Sequence, residues 1–137
     1  MHRGFQQRGF LRAATLLLLM TLTVSTVAAQ KGTRVVRRVR FAPGRTTAVL
    51  KGKARWGTSY IYILRARAGQ TLTVHVAGVP VFRIVAPGAR NYEALEGADN
   101  VKDWSGELPL SGDYKINLGH ADDAYTDAPY TLEVTIR

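Results

Sequence analysis

Residues able to do chemistry gather in one stretch. Between Leu118 and Tyr130 stand His120, Asp122, Asp123 and Asp127 around a solitary Tyr125. Four uses are open to such a set: a metal site, a catalytic site, a probe for a partner, or a solvated loop. Asp122, Asp123 and Asp127, with carbonyls from a glycine-containing loop, offer the hard oxygens that calcium takes. The ordered D-x-D-x-D-G spacing of an EF-hand is absent, so no metal is assigned and calcium stays open. Zinc fits less well, because structural zinc sites take four nitrogen or sulfur ligands and the chain has no Cys.

Catalysis is poorly served elsewhere. His75 alternates with Thr71 and Thr73 on the polar face of "TLTVHVAG", and no acidic residue precedes Glu93. Ser59, Ser105 and Ser111 lie outside any nucleophile-elbow sequence. Glu93, Glu96, Asp103 and Glu107 could be paired as glycosidase carboxylates. A catalytic acid needs apolar surroundings to raise its pKa, and that region reads as acidic and exposed. The residues therefore point away from an enzyme.

The elements that must position the cluster are strands. "DYKINLG" places Tyr114, Ile116 and Leu118 on one side, and "YTLEVTIR" does the same with Tyr130, Leu132, Val134 and Ile136. "SYIYILRA" runs apolar without a break from Tyr60 to Leu64, the pattern of a central strand covered on both faces at one end. Turn signals recur at Ala42–Gly44, Ala68–Gln70, Ala86–Gly88 and Ser111–Asp113. The expected strands are 34–42, 46–52, 59–66, 70–77, 81–86, 106–110, 113–118 and 129–136. An acidic interruption spans Asn91–Asp103, with a helical turn at Glu93–Glu96. About seven or eight short strands with turns between them predict an all-β, antiparallel β-sandwich or barrel.

Charge is unevenly spread. Lys31 to Arg90 holds 13 Lys or Arg and no acid, whereas Asn91 to Arg137 holds all ten acids against Lys102, Lys115 and Arg137. Either a basic face meets an anionic partner such as an envelope polysaccharide, or strands from the two halves interleave and the charges pair. Arg34, Arg37, Arg38 and Arg40 of "RVVRRVRF" carry the same choice: a polyanion-binding strip, or a charged edge strand that resists aggregation.

Arg3, Arg8 and Arg12 precede the apolar run Ala13–Val24 and the small residues Val27–Ala29. That is the pattern of a signal peptide at 1–29, leaving residues 30–137 as one domain. The run falls short of the roughly 20 residues of a spanning helix, so the mature chain is expected to have no transmembrane anchor. Export makes nucleic acid a poor partner and places the protein in the periplasm or outside the cell. Sixteen cations against ten carboxylates leave the mature chain at +6.

"YIYILRARAGQTLTVHVAG" (Tyr60–Gly78), "LPLSGDYKINLG" (Leu108–Gly119) and "PYTLEVTI" (Pro129–Ile136) together resemble the bacterial pre-peptidase C-terminal domain family. The resemblance implies a jelly-roll-like sandwich without catalytic machinery that binds protein or polysaccharide, in some members with calcium. The chain is also similar to the periplasmic inhibitors of g-type lysozyme. Ser111, Gly112, Tyr114, Gly119, Ala128 and Tyr130 fit that pattern, while Tyr125, Thr126 and Asp127 stand where those proteins carry Arg, Gly and Asn. This second resemblance implies that the loop 119–129 enters a lysozyme cleft. Its contact residues would be Ser111, Tyr114, Gly119, His120, Asp122, Asp123, Tyr125, Asp127 and Tyr130. The expectation is an exported, non-enzymatic binding module of the first kind, with the lysozyme inhibitor as its alternative.

Overall fold

The computed structural model describes residues 32–120 and 127–137, with only the backbone of His120. Eight strands fall within that range: β1 (Thr33–Arg38), β2 (Thr47–Ala54), β3 (Thr58–Ala66), β4 (Thr71–Gly78), β5 (Pro80–Val85), β6 (Asp103–Glu107), β7 (Gly112–His120) and β8 (Ala128–Ile136). They form two four-stranded sheets, ordered β1-β3-β7-β5 and β2-β8-β4-β6. All pairings are antiparallel except β1 with β3, which run parallel.

Period-two alternation makes this a sandwich, because each strand turns one side chain in two toward the other sheet. Tyr60, Tyr62 and Leu64 of β3, Phe82 and Ile84 of β5, and Tyr114, Ile116 and Leu118 of β7 line one inner face. Leu72, Val74 and Val76 of β4 meet them from the other sheet, with Tyr130, Leu132 and Val134 of β8. No polar or charged residue is classed as buried among the described residues, so apolar burial dominates the core. The out-facing Ile61 and Ile63 of β3 are half-buried, which accounts for that strand's unbroken apolar run.

Three sequence expectations shift. The edge strand stops at Arg38 rather than residue 42, although the Val39 N–H still donates to the Ile63 carbonyl at 2.9 Å. The strand placed at 106–110 lies at Asp103–Glu107, because His75 of β4 pairs in register with Asp103 and Leu108 turns into the core. The helical turn expected at Glu93–Glu96 is a single 3-10 turn at Arg90–Tyr92.

The two halves of the chain interleave. β1 and β3 from the basic half share a sheet with β7, and β2 and β4 flank β8. Four Arg–Asp pairs cross the same divide: Arg38–Asp113, Arg65–Asp113, Arg83–Asp99 and Arg55–Asp127. Pairing, rather than two opposed charged faces, is the outcome for these groups.

Candidate partner-binding end

β7 and β8 are interior strands of different sheets, and the cluster named first above lies in the connection between them. Pro80 pairs with His120, Gly78 with Tyr130 and Ala54 with Ala128, so three connections leave the sandwich at one end. They are the β2–β3 turn, the β4–β5 turn and the β7–β8 connection. Asp122, Asp123 and Tyr125 lie outside the described residues. Asp127 is exposed, and its carboxylate lies 3.8 Å from Arg55 Nε of the β2–β3 turn.

That turn is well defined. The Thr58 N–H donates to the Arg55 carbonyl at 3.2 Å, and Gly57 supplies the positive φ, 71°, that the third turn position requires. The Tyr60 hydroxyl donates to the Lys53 carbonyl at 2.9 Å and accepts the Arg55 N–H at 3.2 Å, fixing the turn to β3. Trp56 stands at its tip, 53% exposed. Sequence reasoning did not single out Arg55 or Trp56. The available signal was a large aromatic before a glycine in a short inter-strand turn, where no core position explains it.

Beneath this end lies a tyrosine cluster. The Tyr62 and Tyr130 hydroxyls are 2.5 Å apart, and the Tyr60 and Tyr130 rings meet edge to face at 5.9 Å. Burial, and then the bond to Tyr62, push the Tyr130 hydroxyl well above its ordinary pKa of 10.0, against a smaller opposing effect of Arg37. A cleft of about 320 Å³ opens beside it between the edges of β1 and β2, lined by Arg37, Lys53, Arg55, Tyr60 and Tyr130 among others.

Ser111 and Tyr114 are not at this end. The nine-residue β7 separates Ser111 from the β7–β8 connection, roughly 30 Å at about 3.4 Å per residue. There Ser111 Oγ accepts the Ala68 N–H at 2.9 Å. The fully buried Tyr114 donates its hydroxyl to the Leu110 carbonyl at 2.6 Å and accepts the Leu110 N–H at 3.0 Å. Gly112 has φ 145°, and a Cβ there would meet the Pro87 ring at 2.9 Å. The S-G-D-Y stretch thus builds a corner of the sandwich. Ser111 is exposed at that far corner, Tyr130 is buried beneath the connection end beside the cleft, and Gly119 and Asp127 are exposed at the connection end itself.

The four arginines of the first strand do not form one strip. β1 is an edge strand, as its charge implied. Arg34 and Arg38 share one parity, with Arg38 held in two 3.3 Å bonds to Asp113. Arg37 has the other parity and lines the tyrosine cleft, and Arg40 lies past the strand. His75 is a satisfied surface histidine whose Nδ1 bonds the Asp103 carboxylate. No group of three or more His, Cys, Asp or Glu suited to a metal occurs among the described residues. No described helix is long and apolar enough to cross a membrane.

Neither the protein-family models nor the curated proteins give a match to this sequence. Among solved structures, the Aeromonas hydrophila PliG, a periplasmic inhibitor of g-type lysozyme, is 34% identical with a TM-score of 0.68. The match covers 77% of this chain and 98% of that one. The chain belongs to the PliG family. The PliG of Salmonella Typhimurium aligns over 77% of this chain and 99% of its own, at 22% identity and a TM-score of 0.58, which speaks for the fold alone. The pre-peptidase C-terminal domain of the Bacillus anthracis collagenase aligns at 12% identity and a TM-score of 0.49, over 77% of this chain and 93% of its own. Nothing rests on a likeness that distant. Of the two resemblances in the sequence, the inhibitor family is the better supported, and it makes this PliG-type sandwich a binding protein rather than a catalyst.

Proposed function

We propose that the chain is a periplasmic inhibitor of g-type lysozyme, exported with loss of residues 1–29, and that its β7–β8 connection enters the enzyme cleft. The observation that carries the function is the 34% identity over 98% of the Aeromonas hydrophila inhibitor. The contact residues in this reading are Gly119, His120, Asp122, Asp123, Tyr125 and Asp127, with Arg55 and Trp56 beside them. Two interior strands hold both ends of the connection, which lowers the entropy lost when it orders on a partner. An aromatic among carboxylates suits a cleft lined with donors and cations.

The test is a cell-wall lysis assay with the protein recovered after export, against g-type and c-type lysozymes. Inhibition of the g-type enzyme is expected. The Asp122→Ala, Tyr125→Ala, Asp127→Ala triple variant should weaken it at least about 30-fold, taking about 2 kcal/mol for one hot-spot side chain. Absence of inhibition at micromolar protein sinks the function. Full inhibition by the triple variant sinks the loop and shifts attention to Trp56.

A further inference from the structure

The outward face of the first sheet carries a larger concavity, about 460 Å³. Its floor is made of side chains in register across three strands: Ile61 of β3, Asn117 of β7 and Arg83 of β5. Arg34 of β1 stands at one side, and the β5–β6 connection brings Tyr92 and Asp99 to the other.

Three observations here have no role in the fold. Asn117 Oδ1 is buried and receives no hydrogen bond among the described residues, although nearly all buried carbonyl groups find a donor. Asn91 and Tyr92 both take left-handed backbone angles, φ 56° and 55°. Asn tolerates that region, but a bulky aromatic does not. The strain buries nothing, for the Tyr92 side chain is 60% exposed, with the Lys115 ammonium 5.9 Å from its ring centroid. Backbone strain that leaves an aromatic in solvent is characteristic of a site rather than of a core. The charge is also unbalanced. Arg83 takes up Asp99 in two bonds of 2.7 and 2.9 Å, while Arg34 and Lys115 meet no carboxylate among the described residues.

The wants of these groups define a ligand: a hydroxyl or amide donor for Asn117, a carboxylate for Arg34 and Lys115, and a flat C–H face for Tyr92. We propose that this surface binds an acidic glycan, a short oligosaccharide carrying carboxylates. A peptide adding to a sheet would need an open strand edge. Here β3 and β7 are paired on both sides, so only side chains are offered, which suits a ring ringed by hydroxyls. The volume lies within the roughly 300–1,000 Å³ of small-ligand pockets. The site adjoins the proposed lysozyme contact at Gly119, but its recognising side chains, Arg34, Tyr92, Lys115 and Asn117, lie outside that contact.

The experiment is an amide-resolved NMR titration of the exported protein with digalacturonate, with cellobiose and triglutamate as controls. Digalacturonate should shift the Asn117 side-chain amide and the Ser59 and Gly119 backbone amides. Asn117→Leu and Lys115→Ala should each weaken binding at least about tenfold. Tyr92→Gly is the decisive variant, since glycine accepts the positive φ: binding should fall while the melting temperature does not. Lysozyme inhibition should be unchanged in all three variants. No shift at roughly 10 mM digalacturonate, far above a weak millimolar affinity, overturns the proposal. So does equal binding of cellobiose, binding that survives Tyr92→Gly, or a triglutamate response of equal size that survives Asn117→Leu.

Discussion

The hydroxyl pair Tyr62–Tyr130 joins β3 of one sheet to β8 of the other across the core. Changing either residue to Phe keeps the ring and removes one hydroxyl, which leaves the other without its partner. An unsatisfied buried hydroxyl costs about 1–3 kcal/mol, whereas removal of both partners is close to neutral. The two single variants should differ. Tyr130 borders the open cleft between β1 and β2, so water can reach its hydroxyl once Tyr62 is changed. Tyr62 is 1% exposed and does not line that cleft, so Tyr130→Phe should fall at the upper end of the range and Tyr62→Phe at the lower. For a domain of about 100 residues, 1 kcal/mol moves the melting temperature by roughly 4–8 °C. Calorimetry and urea unfolding on the wild type, both single variants and the double variant complete the cycle. The double variant should be more stable than Tyr130→Phe alone, with a coupling of about 1 kcal/mol or more. Additive losses would refute the premise that these hydroxyls satisfy one another.

Other consequences are simpler to read. Gly52→Ala places a Cβ 2.5 Å from the Tyr130 hydroxyl, and Gly112→Ala places one 2.9 Å from Pro87 at φ 145°. Each should lower stability by about 1–3 kcal/mol in urea unfolding, through forced repacking. Hydrogen bonding from Arg38 holds the Asp113 carboxyl below its ordinary 3.8, opposed by desolvation and reinforced by the charges of Arg38 and Arg65. Its contribution is therefore present above that ordinary value and lost as pH falls through the depressed one. The small stability gap between wild type and Asp113→Asn should close in that acid range. Tyr130 has the opposite sign, since its raised folded pKa preserves stability below pH 10.0 and loses it progressively above. Ultraviolet titration should show a tyrosine that stays un-ionised past that point until the protein unfolds.

The strands were readable because alternation reports directly which side chains face inward. β2, β3, β4, β5, β7 and β8 each lie within two residues of the expected bounds. Alternation says nothing about neighbours, so the parallel pairing of β1 with β3 was not foreseen. β6 was misplaced because its five residues DWSGE hold little apolar periodicity, and the buried Leu108 that follows looked like part of a strand. Charge along the chain left two outcomes open for the same reason, since Arg38 and Asp113 are remote in sequence and adjacent in space. Asn117 and Tyr92 left no mark in the sequence: one is an ordinary out-facing polar residue, and the other owes its interest to a backbone angle.

The S-G-D-Y corner and the proposed site of action lie at opposite ends of one strand. S-G-D-Y resists change for reasons internal to the fold: Gly112 has no room for a Cβ, Ser111 caps Ala68, and Tyr114 closes its own corner through Leu110. The buried Tyr114 hydroxyl is engaged within the fold on both its donor and its acceptor side. The other end of β7 is under the reverse constraint. The connection after Gly119 joins two strands that are each paired on both sides, and the sequence resemblance that sets Arg and Asn opposite Tyr125 and Asp127 concerns positions outside those strands. Under the proposed function, substitutions there act on the lysozyme contact rather than on the core. Restoring Arg at 125 and Asn at 127 should accordingly leave the melting temperature unchanged and alter inhibition alone, measured side by side on the same protein. A fall in stability of the same size as the change in inhibition would mean that the two ends of β7 are not divided in this way.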